Sequence, residues 1–247
     1  MKNHLTIVLS FVFVSLLAKP FAVAPQSSGK LTPSQILEAF KKVSTGNLAD
    51  AVEEATGNPG FMNYDMKPIF KTKIVGPAST AVLRRVLKTD ARTYPNQALQ
   101  ILDEAPAGNI LVYVLEDGLN IAGIGNLMAT TAKVRGLAGA VIDGGVRDVE
   151  EITQIGFPVY SRSITPATSV GRLVSVSKNE PVTCAGVRVR PGDYIMGDWD
   201  GIVVVPVEAA AKVVELIRQY DDKESKMVPI IKETKSMMKA LEKYNRY

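Results

Sequence analysis

Residues 110–161 read ILVYVLEDGLNIAGIGNLMATTAKVRGLAGAVIDGGVRDVEEITQIGFPVYS. The segment opens on Ile110–Glu116, a continuous apolar run of the length of a buried strand. After a glycine-bearing loop, Asn126–Arg135 has helical spacing and meets a stop at Gly136. Ala138–Asp143 is a second strand, Arg147–Ile155 a second helix ended by Gly156, and Phe157–Ser161 a third strand. Strand, helix, strand, helix, strand implies parallel strands joined by crossover helices. The expected fold class is therefore α/β, with parallel βαβ units.

Outward from this centre the pattern is simpler. Thr32, Pro33 and Gln35 make a helix start, with an N-cap, a proline at the first helical position and a capping-box partner. Ile36, Phe40 and Val43 continue it as an amphipathic helix. A short helix is expected over Leu48–Ala55, before Gly57, and another over Tyr94–Glu104. Lys71–Ala78 and Thr80–Leu87 read as two strands parted near Gly76-Pro77. Between Pro181 and Pro206 lie short β runs, the last being the apolar Ile202–Val205. From Val207 the chain reads as helical. Residues 221–247, charged with spaced Met, Ile and Leu, form a C-terminal helical extension suited to a surface or subunit contact.

The first residues have the layout of a secretory signal. Lys2 is a basic start, Leu5–Ala18 an apolar run, and Ala22-Val23-Ala24 a small-residue cleavage site. The run is short for a membrane span, which needs about 20 apolar residues. The expected division is residues 1–24 as signal peptide, 25–31 as linker, 32–220 as the functional domain and 221–247 as the extension. The expected location is periplasmic or secreted, with no stable membrane association after cleavage.

Composition then excludes chemistry. Loss of residues 1–24 removes Lys2 and Lys19 and lowers the formal charge from +4 to +2, too mild for a nucleic-acid footprint. The single histidine, His4, leaves with the same segment, which rules out serine–histidine, cysteine–histidine and histidine–metal mechanisms. The single cysteine, Cys184, precludes an internal disulfide and sits in apolar surroundings as a buried thiol. Any metal must be held by oxygen, which favours Mg²⁺, Mn²⁺ or Ca²⁺.

Ligands of an open parallel sheet bind beyond the carboxyl ends of its strands. Two loops here satisfy that condition. One ends in Gly123-Ile124-Gly125-Asn126 and opens a helix whose free amides, at Asn126, Leu127 and Met128, suit a carboxylate. It lacks the third glycine of a dinucleotide fingerprint, Met128 standing in that place. The other loop ends in Gly144-Gly145-Val146-Arg147-Asp148 and puts Arg147, Asp148 and Glu151 in the first turn of a helix, where they share a face. Asp148 could ligate a hard cation, and Arg147 could bind a carboxylate or enolate oxygen. Spacing alone equally describes an ordinary tight turn, with acids at a helix N-terminus and Arg147 and Glu151 as a solvated ion pair.

The stretch GNLMATTAKVRGLAGAVIDGGVRDVEEITQIGFPVYSR resembles the central signature of the RraA-like family. That family includes 4-hydroxy-4-methyl-2-oxoglutarate aldolase and the regulator of ribonuclease activity A. TGNLADAV near Asp50, GPASTAV (Gly76–Val82), PAGNILVYV (Pro106–Val114) and VRVRPGDYIMGDWDGIVVVP (Val187–Pro206) extend the resemblance over nearly all of the chain after residue 24. The resemblance implies a layered α/β/β sandwich of the swivelling-domain type, assembled as a homotrimer or homohexamer with the site near subunit boundaries. It implies that Gly125, Asn126, Leu127 and Met128 hold the substrate carboxylate and that Arg147 contacts the keto or enolate oxygen. It implies Asp148 as the direct ligand of Mg²⁺ or Mn²⁺, with Glu151 as an outer contact. Asn126 stands where the family usually has Glu or Asp, so one negative charge near the cation is missing.

The expected function is a divalent-metal-dependent aldolase that cleaves 4-hydroxy-2-oxo acids to pyruvate, with Arg147, Asp148 and Asn126 as the catalytic set and oxaloacetate decarboxylation as a side activity. Two alternatives stand beside it. One is a non-catalytic, protein-binding regulator like the ribonuclease regulator. The other is an exported lyase or hydratase on another oxo or sugar acid.

Overall fold

The computed structural model describes residues 31–86 and 92–244. The signal-like residues 1–24, most of the linker and the Leu87 end of an expected strand lie outside the described residues. Helix α1 (Pro33–Lys42) begins with the expected capping box: Gln35 N–H donates to the Thr32 hydroxyl at 3.3 Å, and Thr32 N–H to Gln35 Oε1 at 2.9 Å. Helix α2 (Thr45–Thr56) starts three residues before Leu48, where apolar spacing had put it. The cause is capping. Ser44 accepts from Asn47 N–H, and Asp198, distant in sequence, takes the Thr45 amide at 2.9 Å and its hydroxyl at 2.6 Å.

The short strand β1 (Lys67–Pro68) precedes β2 (Ile74–Arg85), one continuous strand where two were expected. Pro77 does not break it. Ala78 N–H donates to the Asp193 carbonyl, so the Pro77 nitrogen faces the other edge, where pairing with the next strand begins only at Ala78. Gly76 is needed because an added Cβ would fall 2.2 Å from the Gly108 carbonyl oxygen. Helix α3 (Gln97–Glu104) is shorter than expected, since Pro95 disfavours helical geometry at Tyr94.

Strand β3 (Ile110–Leu115) is followed by an unexpected short strand β4 (Ala122–Ile124), helix α4 (Asn126–Val134) and strand β5 (Gly139–Val146). Helix α5 (Val149–Ile155) then leads to β6 (Val159–Ile164). Strand β5 continues through Gly144-Gly145, expected as a loop. Those glycines are required by packing: a Cβ on Gly144 would meet Leu115 at 2.9 Å, and one on Gly145 would meet Thr165 at 2.5 Å. The remaining strands are β7 (Leu173–Lys178), β8 (Val182–Cys184), β9 (Val187–Val189), β10 (Tyr194–Gly197) and β11 (Ile202–Val205).

The main sheet runs β1-β6-β5-β3-β2-β10-β11, with β4 on β5 and β7 on β2, while β8 and β9 form a separate hairpin. Strands β2, β3, β5 and β6 are parallel, as expected for βαβ units. Every residue of β3 is buried. Its Leu111, Tyr113 and Leu115 pack with residues of α3, α4 and α5. Its Ile110, Val112 and Val114 pack with Val182, Cys184 and Val189 of the hairpin. That alternation, imposed by the two-residue period of a strand, produces the expected α/β/β layering.

A third core joins α1 and α2 to β10, β11 and helix α6 (Ala210–Thr234). Helix α6 runs unbroken across Asp221, the expected start of the C-terminal extension, and α7 (Met237–Lys243) follows it. The described residues from Leu31 onward form one compact unit. No helix among the described residues is long and apolar enough to cross a membrane.

Candidate active site

The two glycine-bearing segments meet at one edge of the sheet. Strand β4 pairs parallel with β5, bringing Ile124 beside Val146, and Arg147 N–H donates to the Ile124 carbonyl at 3.2 Å. Gly125, the N-cap of α4, therefore lies directly against Arg147 and Asp148. A Cβ added to Gly125 would stand 2.7 Å from Asp148 Oδ2 and 2.9 Å from Arg147 Nε. Only a residue without a Cβ fits beneath those two side chains.

Asp148 has an unusual position. It is the N-cap of α5 in left-handed conformation, at φ 56°, and makes no side-chain cap to its own helix. An aspartate at such a place normally caps that helix, worth about 1 kcal/mol. Here the carboxylate reaches across to α4 instead, and Oδ2 accepts the Asn126 N–H at 2.9 Å. Arg147 Nε stands 3.6 Å from the same oxygen, in a pair whose side chains are 42% and 37% exposed. At that exposure the pair adds little to stability.

These residues line a cavity of about 440 Å³. Its wall includes Gly125, Leu127, Met128, Arg147 and Asp148 from the expected set. Two members behave differently. The Asn126 side chain accepts from the Thr130 hydroxyl at 3.2 Å and is not part of the wall, and its amide, expected to be free for substrate, is taken by Asp148. Glu151 is exposed in the first turn of α5, outside the wall. The amides of Leu127 and Met128 remain first-turn donors without an intrahelical acceptor. Arg147 and Asp148 precede α5 rather than forming its first turn, because Asp148 turns the chain.

Other wall residues carried no sequence signal. Leu99, Leu102 and Asp103 come from α3, an ordinary amphipathic helix in the sequence. Thr168, Ser169 and Val170 come from a loop held in place by Ala122 N–H donating to the Ala167 carbonyl at 2.7 Å. Among the described residues no group of three or more His, Cys, Asp and Glu side chains converges as a metal cage. The site thus offers one guanidinium, one carboxylate at the glycine turn and a helix N-terminus, all opening on one cavity.

A family model described as RraA-like, Aldolase/RraA, matches residues 45–204. The chain belongs to the RraA-like family. It is 39% identical over 202 residues to an uncharacterized protein of Methanocaldococcus jannaschii, covering 80% of this chain and 89% of that one. It is 32% identical over 120 residues to the 4-hydroxy-4-methyl-2-oxoglutarate aldolase of Thermus thermophilus, covering 47% and 71%. Among solved structures it is similar to RraAS2 of Streptomyces coelicolor, an unusual member of the RNase ES inhibitor RraA protein family. That likeness has a TM-score of 0.70 at 25% identity and covers 79% of this chain and 96% of that one. For an RraA-like chain, the glycine turn with Arg147 and Asp148 above it lies inside the matched region.

Proposed function

We propose that this chain is a divalent-metal-dependent aldolase that cleaves 4-hydroxy-2-oxo acids, such as 4-hydroxy-4-methyl-2-oxoglutarate, to pyruvate. The observation that carries the reading is the convergence of Arg147 and Asp148 on Gly125 at the mouth of α4. The aldolase relative supports the same reaction class.

The donor set suits a hard cation. Asp148 Oδ2 is occupied by the Asn126 amide, while Oδ1 makes no hydrogen bond among the described residues. One free carboxylate oxygen beside an open cavity suits Mg²⁺ or Mn²⁺, since Mg²⁺ in particular usually keeps several waters. Asp148 would hold this cation, which supplies Lewis acidity toward the 2-oxo acid when bound. The Leu127 and Met128 amides, at the positive end of α4, receive the substrate carboxylate. Arg147 receives the 2-oxo oxygen and steadies the negative charge that grows there as the C3–C4 bond breaks. With no histidine in residues 25–247, the 4-hydroxyl proton leaves through a carboxylate or solvent. Oxaloacetate decarboxylation develops the same enolate charge and is the expected side activity.

The reading includes export and assembly. Cleavage after residue 24 would place the enzyme in the periplasm or outside the cell. A homotrimer or homohexamer with the site near subunit boundaries is the proposed assembly.

The test is pyruvate release from 4-hydroxy-2-oxo acids and oxaloacetate, with Mg²⁺ or Mn²⁺ and after chelation. Turnover should require the metal, and Asp148→Ala should lower it by about 10²-fold or more. Undiminished turnover by Asp148→Ala would remove the site. The likeness to RraAS2 supports a second reading, a regulator that binds a ribonuclease without catalysis. Capture of a ribonuclease by a protein lacking lyase activity would favour it.

A further inference from the structure

We infer that Arg162 is a positioning residue: it clamps the end of β5 from which Arg147 and Asp148 are presented to the Gly125 turn. The inference rests on the aldolase reading and deepens it. Its starting point is an irregularity in the sheet. Strand β5 pairs with β6 in register from Ala140 to Ile142, and again at Gly145 and Val146, but not between. Over that interval β5 advances from Ile142 to Gly145 while β6 advances only from Ser161 to Ser163, so β5 carries one residue more than its partner. On its other edge β5 exchanges β3 for β4 at the same place. Asp143 is the last residue paired with β3, and Gly145 the first paired with β4.

The ladder is thus interrupted on both edges just before Arg147 and Asp148. Gly144 and Gly145 have no side chains to hold the strand there, and glycine has the widest backbone freedom. Asp143 is the last side chain before them, and both its oxygens are engaged. Oδ1 accepts from Arg162 Nη1 at 3.0 Å and Oδ2 from the Ala185 amide, in the β8–β9 turn, at 2.6 Å.

Arg162 stands in β6 opposite the bulge, between Ser161 and Ser163. Its Nε and Nη2 both reach Asp65 Oδ2 at 2.9 Å. One guanidinium therefore ties the bulge to the segment that precedes β1. The side chains of Asp65, Arg162 and Asp143 are 29%, 21% and 14% exposed, so solvent screens these bonds less than the Arg147–Asp148 pair. Charge-assisted bonds of this kind are stronger than neutral ones. None of the three residues is in the cavity wall, so their effect on the reaction passes through β5. Without the clamp the bulge is free to shift, and a displacement of about 1 Å at Arg147 and Asp148 costs about 10²-fold in rate. A lysine at 162 would keep the charge but lose the planar fork that spans two carboxylates.

The test compares the wild-type chain with Arg162→Gln, Arg162→Lys and Asp198→Ala. It reads melting temperature, Mn²⁺ affinity by calorimetry, and kcat and KM for pyruvate release from 4-hydroxy-4-methyl-2-oxoglutarate with Mg²⁺. Arg162→Gln should lower kcat by at least about tenfold and weaken Mn²⁺ binding severalfold, at a temperature where it is folded. Arg162→Lys should regain melting temperature while kcat stays severalfold low. Asp198→Ala loosens α2 rather than β5, and should keep kcat and Mn²⁺ affinity despite a lower melting temperature. Wild-type kcat and Mn²⁺ affinity in Arg162→Gln overturn the inference, and so does an equal loss in Asp198→Ala, the mark of a general stability effect. If Arg162→Gln does not fold, Arg162→Lys decides, and full kcat there overturns the inference. A wild-type chain that binds Mn²⁺ but releases no pyruvate overturns the aldolase reading, while the Mn²⁺ titrations still decide the positioning role. A wild-type chain that does neither overturns both.

Discussion

Gly125 bears the tightest constraint at the residue scale. Its missing side chain is the space in which Asp148 Oδ2 and Arg147 Nε lie. Gly125→Ala should therefore displace both groups and lower kcat/KM by about 10²-fold, the scale of a misplacement of about 1 Å. Melting temperature should change little, because Gly125 is extended, at φ −138°, and half-buried at a cavity edge. A variant with normal kinetics would contradict the geometry. Asn126→Asp adds a carboxylate at the start of α4, next to the amide that Asp148 accepts. It should tighten Mg²⁺ binding severalfold in a calorimetric titration, and weaker binding would mean that Asn126 serves another purpose. Arg147 and Asp148 were singled out by the family resemblance, since a glycine turn before a charged pair equally describes an ordinary helix start. The left-handed turn at Asp148, and its bond to another helix, were not legible, because a capping aspartate looks the same wherever its carboxylate points.

Among the elements, the parallel strands β3, β5 and β6 could be read directly from apolar runs and glycine stops. The reading failed where glycine or proline meant packing instead of punctuation. Gly76-Pro77 and Gly144-Gly145 both lie inside strands, because neighbouring atoms occupy the Cβ positions or the proline nitrogen faces an unpaired edge. The start of α2 depended on Asp198, which lies 153 residues from Thr45, beyond the reach of any local pattern. Burial by itself would raise the Asp198 carboxyl, but the Thr45 hydroxyl and amide, the Asp200 amide and Lys73 outweigh it, so it sits below the ordinary aspartate value of 3.8. A depressed carboxyl contributes stability that is complete above the unfolded value and lost as pH falls through the folded one. Asp198→Ala should cost about 1 kcal/mol in urea unfolding at neutral pH. The gap between the two proteins should shrink below the ordinary aspartate value, and a gap independent of pH would show that the carboxylate charge is not what anchors α2.

Across the whole molecule, the sheet edge joins two segments that are 22 residues apart, from Asn126 to Asp148, while α3 and the Thr168–Val170 loop close the cavity from either side of them in the sequence. Closure by separate elements of that kind leaves no periodic signal, which is why the α3 and loop parts of the wall were invisible in the sequence. Export predicts that protein recovered from the periplasm or medium starts after Ala24, as N-terminal sequencing can establish. A retained Lys2 would contradict it. Assembly predicts a mass of three or six chains by light scattering, and a stable monomer with full activity would remove the boundary site.

Titration of oxalate, a planar mimic of the pyruvate enolate, into the Mn²⁺-loaded protein tests most directly whether Arg147 and Asp148 act together over the Gly125 turn. The wild-type chain should bind oxalate only with the metal present, and Arg147→Ala and Asp148→Asn should each weaken binding by at least about tenfold. Equal affinity in all three proteins would contradict the account.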